Sequence, residues 1–215
     1  MRTGIEPKPA PLDEVSRYYA ERITRHGPCA QGVDWNGADG QRLRFAQVLR
    51  IVPPGQQDYT LTQIGCGYGA LAEWLTERGD RFDYCGIDIS PEMIAAAQAR
   101  FGDRPDRRFL QGATPPGRSD YCVASGIFNV RLNATDDAWE AHVLSVLDLM
   151  AETGEQGFAF NCLTSYSDAH RMEARLYYAD PARMFDLCMR RYGRHVALLH
   201  DYGLYEFTIL VRRFS

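Results

Sequence analysis

The chain has 215 residues, 45% of them hydrophobic and 24% charged, and a formal charge of −4. This composition is typical of one globular domain with a modest extension. The acidic balance disfavours a nucleic-acid partner, and no stretch approaches the roughly 18 apolar residues that a membrane span requires. We therefore expect a cytoplasmic protein that does not contact a membrane.

Six cysteines stand at positions 29, 66, 85, 122, 162 and 188, and none of them forms a C-x-x-C pair. Most of them fall in or beside predicted strands, where free cysteine behaves as a small buried apolar side chain. Their spacing offers no cluster of ligands, so we expect neither a disulfide framework nor a metal site.

Two helices are predicted ahead of the first strand. Apolar and aromatic residues keep helical spacing over 13–25 and again over 39–50, with a glycine-rich loop at 26–37 between them. The run Pro53-Pro54-Gly55 ends the second helix. We expect residues 1–57 to form an N-terminal helical extension, or lid, and residues 58–215 to form the main domain.

From residue 58 onward, predicted strands and helices alternate. The strands are predicted at 59–64, 81–88, 106–111, 120–125, 157–163, 194–201 and 204–212. The helices are predicted at 69–78, 91–100, 135–152 and 181–191. This alternation predicts a mostly parallel α/β sheet with helices on both faces. The turn at Gly203 is too short for a parallel crossover, so the last two strands should form a hairpin, with one antiparallel strand next to the edge of the sheet.

A glycine-rich turn follows the first strand of the main domain, in Ile64-Gly65-Cys66-Gly67-Tyr68-Gly69. Three glycines at alternate positions remove the β-carbons, so that a ligand can lie against the backbone. The second strand ends at Asp88, whose carboxylate can accept hydrogen bonds from both hydroxyls of a ribose. This pairing predicts a site for a nucleoside cofactor, although the glycine spacing departs from the G-x-G-x-x-G fingerprint of dinucleotides.

The glycine turn, together with Gly86-Ile87-Asp88-Ile89-Ser90-Pro91-Glu92-Met93, resembles motifs I and II of class I S-adenosylmethionine (SAM)-dependent methyltransferases. The resemblance spans about residues 58–215 and implies a Rossmann-like sheet of seven strands in the order 3-2-1-4-5-7-6, with strand seven antiparallel. It also implies SAM as cofactor and S-adenosylhomocysteine (SAH) as its product.

Carried over position by position, the resemblance implies a set of cofactor contacts. Gly65, Cys66, Gly67 and Gly69 would line the methionine end of SAM. Asp88 would bind the ribose. The adenine contacts implied are Ile89, Gln111, Gly112 and Ala113, and Ser125 and Gly126 would lie beside the sulfonium. Many relatives have an aspartate after strand three to bind the adenine amine; this chain has none there, so Gln111 or main chain must serve.

The acceptor should sit beyond the carboxyl ends of strands four and five, since ligands of open α/β sheets bind there. Histidine is a suitable general base near neutral pH. The candidate catalytic residues are His26, His170, His200, Asn129 and Tyr166. The candidate substrate-binding residues are Tyr18, Trp35, Asn129, Arg131, Asn161 and Tyr166. Each of them also has a purely structural interpretation, and His142 in particular reads as a solvated or internally satisfied histidine.

The sequence predicts a SAM-dependent methyltransferase that modifies O or N of a small molecule or a sugar-like metabolite. No N-P-P-Y-type signature follows strand four, which disfavours N-methylation of bases or glutamine. Two alternatives stay open: a methyltransferase that acts on protein or RNA, and a SAM-binding module without catalysis. A nicotinamide-dependent oxidoreductase is more distant. The acceptor atom, the base and the oligomeric state are not determined by the sequence.

Overall fold

The computed structural model describes residues 12–35 and 37–214, so that residues 1–11 of the predicted extension lie outside the described part. Its sheet has eight strands: β1 (Tyr59–Ile64), β2 (Phe82–Asp88), β3 (Arg107–Gln111), β4 (Ser119–Ala124), β5 (Gly154–Thr164), β6 (Tyr178–Ala179), β7 (Val196–Leu199) and β8 (Glu206–Arg212). The strand order is β3-β2-β1-β4-β5-β8-β7, and β6 pairs with β5 off this path.

The sheet is parallel except at β8, which pairs in antiparallel fashion with both β5 and β7. The predicted fold class is therefore confirmed, including the antiparallel strand next to the edge. Strand β6 was not predicted, because two residues are too few to show an alternating pattern. It adds to the carboxyl end of β5 through Leu163↔Tyr178 and Thr164↔Ala179, beyond the last pair of β5 with β4.

Six α-helices accompany the sheet in the described residues: α1 (Leu12–His26), α2 (Ala38–Val48), α3 (Ala70–Arg78), α4 (Pro91–Phe101), α5 (Asp136–Thr153) and α6 (Pro181–Tyr192). Their starts follow local sequence rules. The Ser90 hydroxyl accepts from the Met93 N–H at the start of α4, and Pro91 occupies the first helical position. The Thr135 hydroxyl caps α5 in the same way, by accepting from the Ala138 N–H.

Two hydrophobic cores lie on opposite faces of the sheet. One packs side chains of α2, α3 and α4, among them Phe45, Leu71 and Met93, and the other packs side chains of α5 and α6, among them Trp139 and Cys188. Right-handed crossovers explain this division, since β1 to β3 run toward one edge and β4 to β5 run toward the other.

Helix α1 bridges the two cores. Its Val15 is buried in the core that contains Trp139, and its Ile23 is buried in the core that contains Phe45. Eight residues separate these positions, so the helix passes over the carboxyl edge of the sheet. None of the described helices has the length and apolar character needed to cross a membrane. Within residues 12–35 and 37–214, no cluster of three side chains is arranged to hold a metal ion.

Candidate active site

A deep pocket opens at the carboxyl ends of β1, β2 and β4, beneath helix α1 and the loop that follows it. Its floor contains the glycine turn, Asp88 and the Ser125–Gly126 step. Of the predicted cofactor residues, the structure places these in the pocket lining: Gly65, Cys66, Gly67, Asp88, Ile89, Gly112, Ala113, Ser125 and Gly126. Gly69 is the N-cap residue of α3 and is absent from the lining, and Gln111 ends β3 with an exposed side chain.

The glycine turn has a backbone that other residues would strain. Gly65 has φ 69°, and a β-carbon there would lie 2.1 Å from Ile127 Cγ2. The N–H groups of Gly65 and Cys66 both donate to the carbonyl of Ile87, at 2.8 and 2.9 Å. The turn is therefore tied to β2, while its open side faces the pocket.

Asp88 lies at the end of β2 with its carboxylate held by main chain. Oδ2 accepts from the Gly67 N–H and Oδ1 accepts from the Ser90 N–H, each at 2.9 Å. Burial raises the pKa of Asp88, because the charged form loses hydration, and the N–H groups of Ser90, Gly67 and Ile89 oppose that rise. The result is an oriented acceptor of hydrogen bonds at the pocket wall.

The opposite wall includes His142, for which the sequence predicted no role in the site. Trp139, His142 and Val146 of α5 line the pocket on one helical face. The His142 ring lies 5.0 Å from the Trp139 ring between centroids, and burial lowers the pKa of His142. The imidazole is therefore neutral at pH 7 and keeps one acceptor and one donor nitrogen. The spacing of 139, 142 and 146 is the signal that could have placed it there.

Helix α1 contributes a second helical face to the pocket lining. Leu12, Val15 and Tyr19 of α1 follow one another at spacings of three and four, and all three line the pocket. Tyr18, a predicted substrate residue, points instead to Asp34: its hydroxyl donates to Asp34 Oδ2 at 2.5 Å. Burial, together with this hydrogen bond, raises the pKa of Tyr18 to about 12.

Asp34 also forms ion pairs with two arginines. Arg22 Nη2 lies 2.7 Å from Oδ1, and Arg175 Nη1 lies 2.9 Å from Oδ2. We call Tyr18, Arg22, Asp34 and Arg175 the Asp34 cluster. Arg175 belongs to the segment between β5 and β6, so the cluster ties α1 and its loop to the far side of the pocket mouth.

Trp35 covers the end of β4. A β-carbon on Gly126 would lie 2.7 Å from Trp35 Cζ2, so the indole packs directly against the glycine. The Arg44 guanidinium sits 4.7 Å from the centre of the Trp35 ring, a cation–π contact. Beside this contact, the Ser125 hydroxyl is buried without a hydrogen-bond partner in the described part of the chain. The pocket therefore offers an unpaired polar atom at the point where β4 ends.

A buried polar network underlies the same step. Arg44 Nε donates to Glu206 Oε1 at 2.8 Å, and Asn161 Nδ2 donates to Glu206 Oε2 at 2.6 Å. Asn161 Oδ1 in turn accepts from the Gly126 N–H at 2.8 Å. We call Arg44, Asn161 and Glu206 the Glu206 network. Asn161, a predicted substrate residue, thus supports the floor of the pocket from behind and is absent from its lining.

The predicted catalytic residues lie outside the pocket lining. The side chains of His26, His170 and His200 are exposed, and Tyr166 is 71% exposed. The rings of Tyr166 and His200 lie 5.9 Å apart between centroids, in a separate surface cluster.

Asn129 and Arg131 are engaged in backbone contacts. Asn129 Oδ1 accepts from the Leu163 N–H at 3.3 Å, and Arg131 donates to the carbonyls of Leu176 and Ala134. Both side chains therefore brace the loop that follows β4. The ionisable side chains that do line the pocket are Tyr19, Cys66, Tyr68, Asp88 and His142.

Known proteins resemble the chain at two levels. Residues 62–154 match the family described as "Methyltransferase domain". The Mycobacterium tuberculosis protein Rv1506c, which is named as a methyltransferase, is 56% identical over 167 residues; these make up 78% of this chain and 100% of that protein. The malonyl-[acyl-carrier protein] O-methyltransferase of Anoxybacillus flavithermus is 37% identical over 65 residues, which cover 30% of this chain and 24% of that enzyme.

Solved structures share the fold. The magnesium protoporphyrin IX methyltransferase ChlM of Synechocystis PCC 6803, solved with bound SAH, superimposes with a TM-score of 0.69 at 14% identity, covering 94% of this chain and 100% of that one. The DhpI–SAM–HEP complex gives a TM-score of 0.65 at 16% identity, covering 94% and 97%. Full coverage of Rv1506c at 56% identity shows the family directly: the chain belongs to the methyltransferases, with the fold of the class I SAM-dependent enzymes.

Proposed function

We propose that this methyltransferase uses SAM to methylate an oxygen or nitrogen atom of a small molecule or sugar-like metabolite. The observation that carries the proposal is the pocket itself, in which a glycine turn, an oriented aspartate and the unpaired Ser125 hydroxyl converge under a lid. This combination fits a nucleoside that carries a polar amino-acid tail.

The residues present fit the donor. Asp88 would accept from the ribose hydroxyls, and Ile89, Gly112 and Ala113 would flank the adenine. Gly65, Cys66 and Gly67 would lie along the methionine portion, since their side of the turn carries little bulk. Bound SAM supplies a methyl group activated by the sulfonium, and its transfer leaves neutral SAH.

The chain's own part in the reaction is to align and to exclude water. Helix α1 and Trp35 cover the pocket, so the lining at the end of β4 is shielded from bulk solvent. The neutral aromatic face of Trp35 beside Gly126 also suits a cationic sulfonium. His26, His170, His200 and Tyr166 would serve as bases only for an acceptor that extends beyond the pocket lining.

A small acceptor is favoured over a nucleic acid by the state of the arginines around the pocket. Arg22 and Arg175 share Asp34, Arg175 also pairs with Glu173, and Arg44 pairs with Glu206, so three carboxylates face the three arginines. A phosphate backbone is bound chiefly by available Lys and Arg side chains. Since these three cations are already neutralised, the pocket mouth presents little attraction for phosphates. An 18S rRNA (guanine-N7)-methyltransferase of Saccharomyces cerevisiae is 40% identical over 58 residues, so RNA belongs in the acceptor test.

The test has two stages. Calorimetric titration with SAM, SAH and NAD should show binding of the two adenosyl ligands and none of NAD. Methyl transfer from radiolabelled SAM is then measured with a metabolite extract, total RNA and total protein as separate acceptors. Label in the metabolite fraction alone is the expected result. Label in RNA or protein would reject the small-molecule assignment, and binding of NAD alone would reject the cofactor.

A further inference from the structure

The Glu206 network is built from groups that are costly to bury. Glu206 is 2% exposed and Asn161 is 0% exposed, in a region where apolar side chains would fill the same space. Burying a carboxylate and an amide costs free energy unless every polar atom finds a partner, and such networks are weak sources of stability. What a fully bonded network does provide is a fixed orientation for each of its members.

The member whose orientation matters is the peptide between Ser125 and Gly126. Its N–H points to Asn161, on the β5 side of β4. The N–H and C=O of a trans peptide point in opposite directions, so the Ser125 carbonyl points to the other side, toward β1. Strand β1 is the other neighbour of β4, and it ends at Gly65, in the pocket.

The Ser125 carbonyl meets no competing donor from the glycine turn. The N–H groups of Gly65 and Cys66 are turned toward β2, where both bond to the Ile87 carbonyl. Ser125 follows β4, and among the backbone hydrogen bonds outside the helices and strands of residues 12–35 and 37–214, none ends at its carbonyl. An oriented carbonyl of this kind, between two strand ends, is an acceptor for a cationic N–H donor.

We propose that Asn161 and Glu206 are positioning residues, which hold the Ser125 carbonyl toward β1 so that it accepts from the ammonium group of the methyl donor. The inference rests on the proposed function, since SAM and SAH both carry that ammonium. Arg44 neutralises Glu206 and packs on Trp35, so the same network also joins the donor subsite to the cover above it.

Two ligands separate this role from a general effect on folding. SAH contains the amino-acid portion, and 5′-methylthioadenosine contains the adenosine and the sulfur without it. Asn161→Leu keeps the volume of the side chain and removes both of its hydrogen bonds. Thr208→Val is the matched control: Thr208 is buried and pairs with Asn161 across β5 and β8, and among the described residues its hydroxyl bonds only to that of Tyr202.

In calorimetric titrations of the full chain, Asn161→Leu should lower the affinity for SAH by about tenfold and leave that for 5′-methylthioadenosine within about twofold. Thr208→Val should preserve the ratio of the two affinities. Equal losses for both ligands, or an unchanged ratio in Asn161→Leu, would overturn the positioning role while leaving the cofactor assignment intact. Failure of the unmodified protein to bind either ligand would overturn the proposed function itself.

Substitution of Arg44, at the other end of the Glu206 network, provides a second test in case Asn161→Leu does not fold. Arg44 is the most accessible member, with 14% of its side chain exposed. Arg44→Met should lower the ratio of the affinity for SAH to that for 5′-methylthioadenosine, by a smaller factor than Asn161→Leu does. Arg44→Lys keeps the charge beside Glu206 and should therefore have a ratio close to that of the unmodified protein. A ratio that does not respond to Arg44→Met would also count against the proposal.

Discussion

The two sides of the pocket are built in different ways. On the side of β1 and β2, the pocket wall is main chain, formed by the glycine turn and by N–H groups that hold Asp88. On the side of α1 and the loop that follows it, which we call the lid wall, it is side chain, and the ion pairs of the Asp34 cluster join it to the segment that contains Arg175. At Gly65, the first kind of wall leaves no room for an added β-carbon, whereas the second kind contains charges that can be removed one at a time. Substitutions in the two walls should therefore differ in size and in kind.

The largest effect is expected from Gly65→Ala. The new β-carbon would meet Ile127 Cγ2, and the backbone at φ 69° disfavours any L side chain. Overpacking and left-handed strain together should lower the free energy of unfolding by about 2–4 kcal/mol and abolish binding of SAH. Chemical denaturation and calorimetry measure the two losses.

Gly79→Ala separates the two causes. Gly79 has φ 82° at the end of α3, and an added β-carbon there meets no atom within 4 Å. Only the backbone term of about 1 kcal/mol should remain, with SAH binding unchanged. If Gly65→Ala and Gly79→Ala lost the same free energy of unfolding, the side chain of Ile127 would have moved to accommodate the new β-carbon. The glycine turn would then be less rigid than its contacts indicate.

A smaller effect is expected from Asp88→Ala. Loss of a charged acceptor should weaken binding of SAH by about 1–3 kcal/mol in calorimetric titration. Asp83→Ala, at an exposed position of the same strand, should leave it within about 0.5 kcal/mol. An unchanged affinity in Asp88→Ala would refute the placement of the ribose.

Through Asp88, acid should have opposite effects on the stability of the fold and on the affinity for SAH. Its folded pKa is raised above the ordinary value of 3.8, so the folded state holds a proton more tightly than the unfolded chain. Protonation of Asp88 therefore adds to stability as the pH falls through the raised pKa, and that contribution is complete below 3.8. The affinity for SAH should fall over the same range, because the neutral acid accepts less well. Loss of this affinity slope in Asp88→Ala is the check.

The contrast between the walls also explains what the sequence could predict. The glycine turn, Asp88 and the sheet order follow from contiguous segments, in which spacing and strand ends are visible. The lid wall depends on partners far apart in the chain: 141 residues separate Asp34 from Arg175, and 162 separate Arg44 from Glu206. No local pattern joins such pairs, so the sequence indicated Trp35 and Tyr18 without indicating what holds them.

The exposed candidates illustrate the same limit. His170 and Tyr166 follow β5 at the correct edge of the sheet, yet their side chains are exposed and lie outside the pocket lining. After this segment, the short strand β6 brings the chain back beside β5, through Leu163↔Tyr178 and Thr164↔Ala179. Two residues of strand leave too weak a pattern to be predicted.

Asp34→Asn should loosen the lid wall with a moderate effect. Asp34 has φ 62°, a backbone that asparagine accepts, so the substitution removes charge without straining the turn. Loss of two partly buried ion pairs should raise the dissociation rate of SAH about fivefold, equivalent to about 1 kcal/mol, and speed hydrogen exchange in α1. Glu77→Gln, which breaks the exposed pair with Arg42, is the control and should change neither. Slow exchange in α1 of Asp34→Asn would show that apolar packing alone holds the lid.

The smallest effect is expected from His142→Phe, and its sign is set by pH. Burial lowers the folded pKa of His142 below the ordinary value of 6.5, so the unfolded chain binds this proton more tightly. Stability should therefore fall as the pH drops through 6.5, until the folded pKa is reached, which is the reverse of the Asp88 contribution. The stability difference between His142→Phe and the unmodified protein should accordingly grow in favour of the variant from about pH 7.5 to about pH 5.5, by up to about 1 kcal/mol. Urea unfolding at the two pH values measures it, with exposed His195→Phe as the control. If the stability difference between the two proteins did not change with pH, the imidazole of His142 would be hydrated in the folded state. The lid wall would then open in solution, in contrast to the fixed main-chain wall.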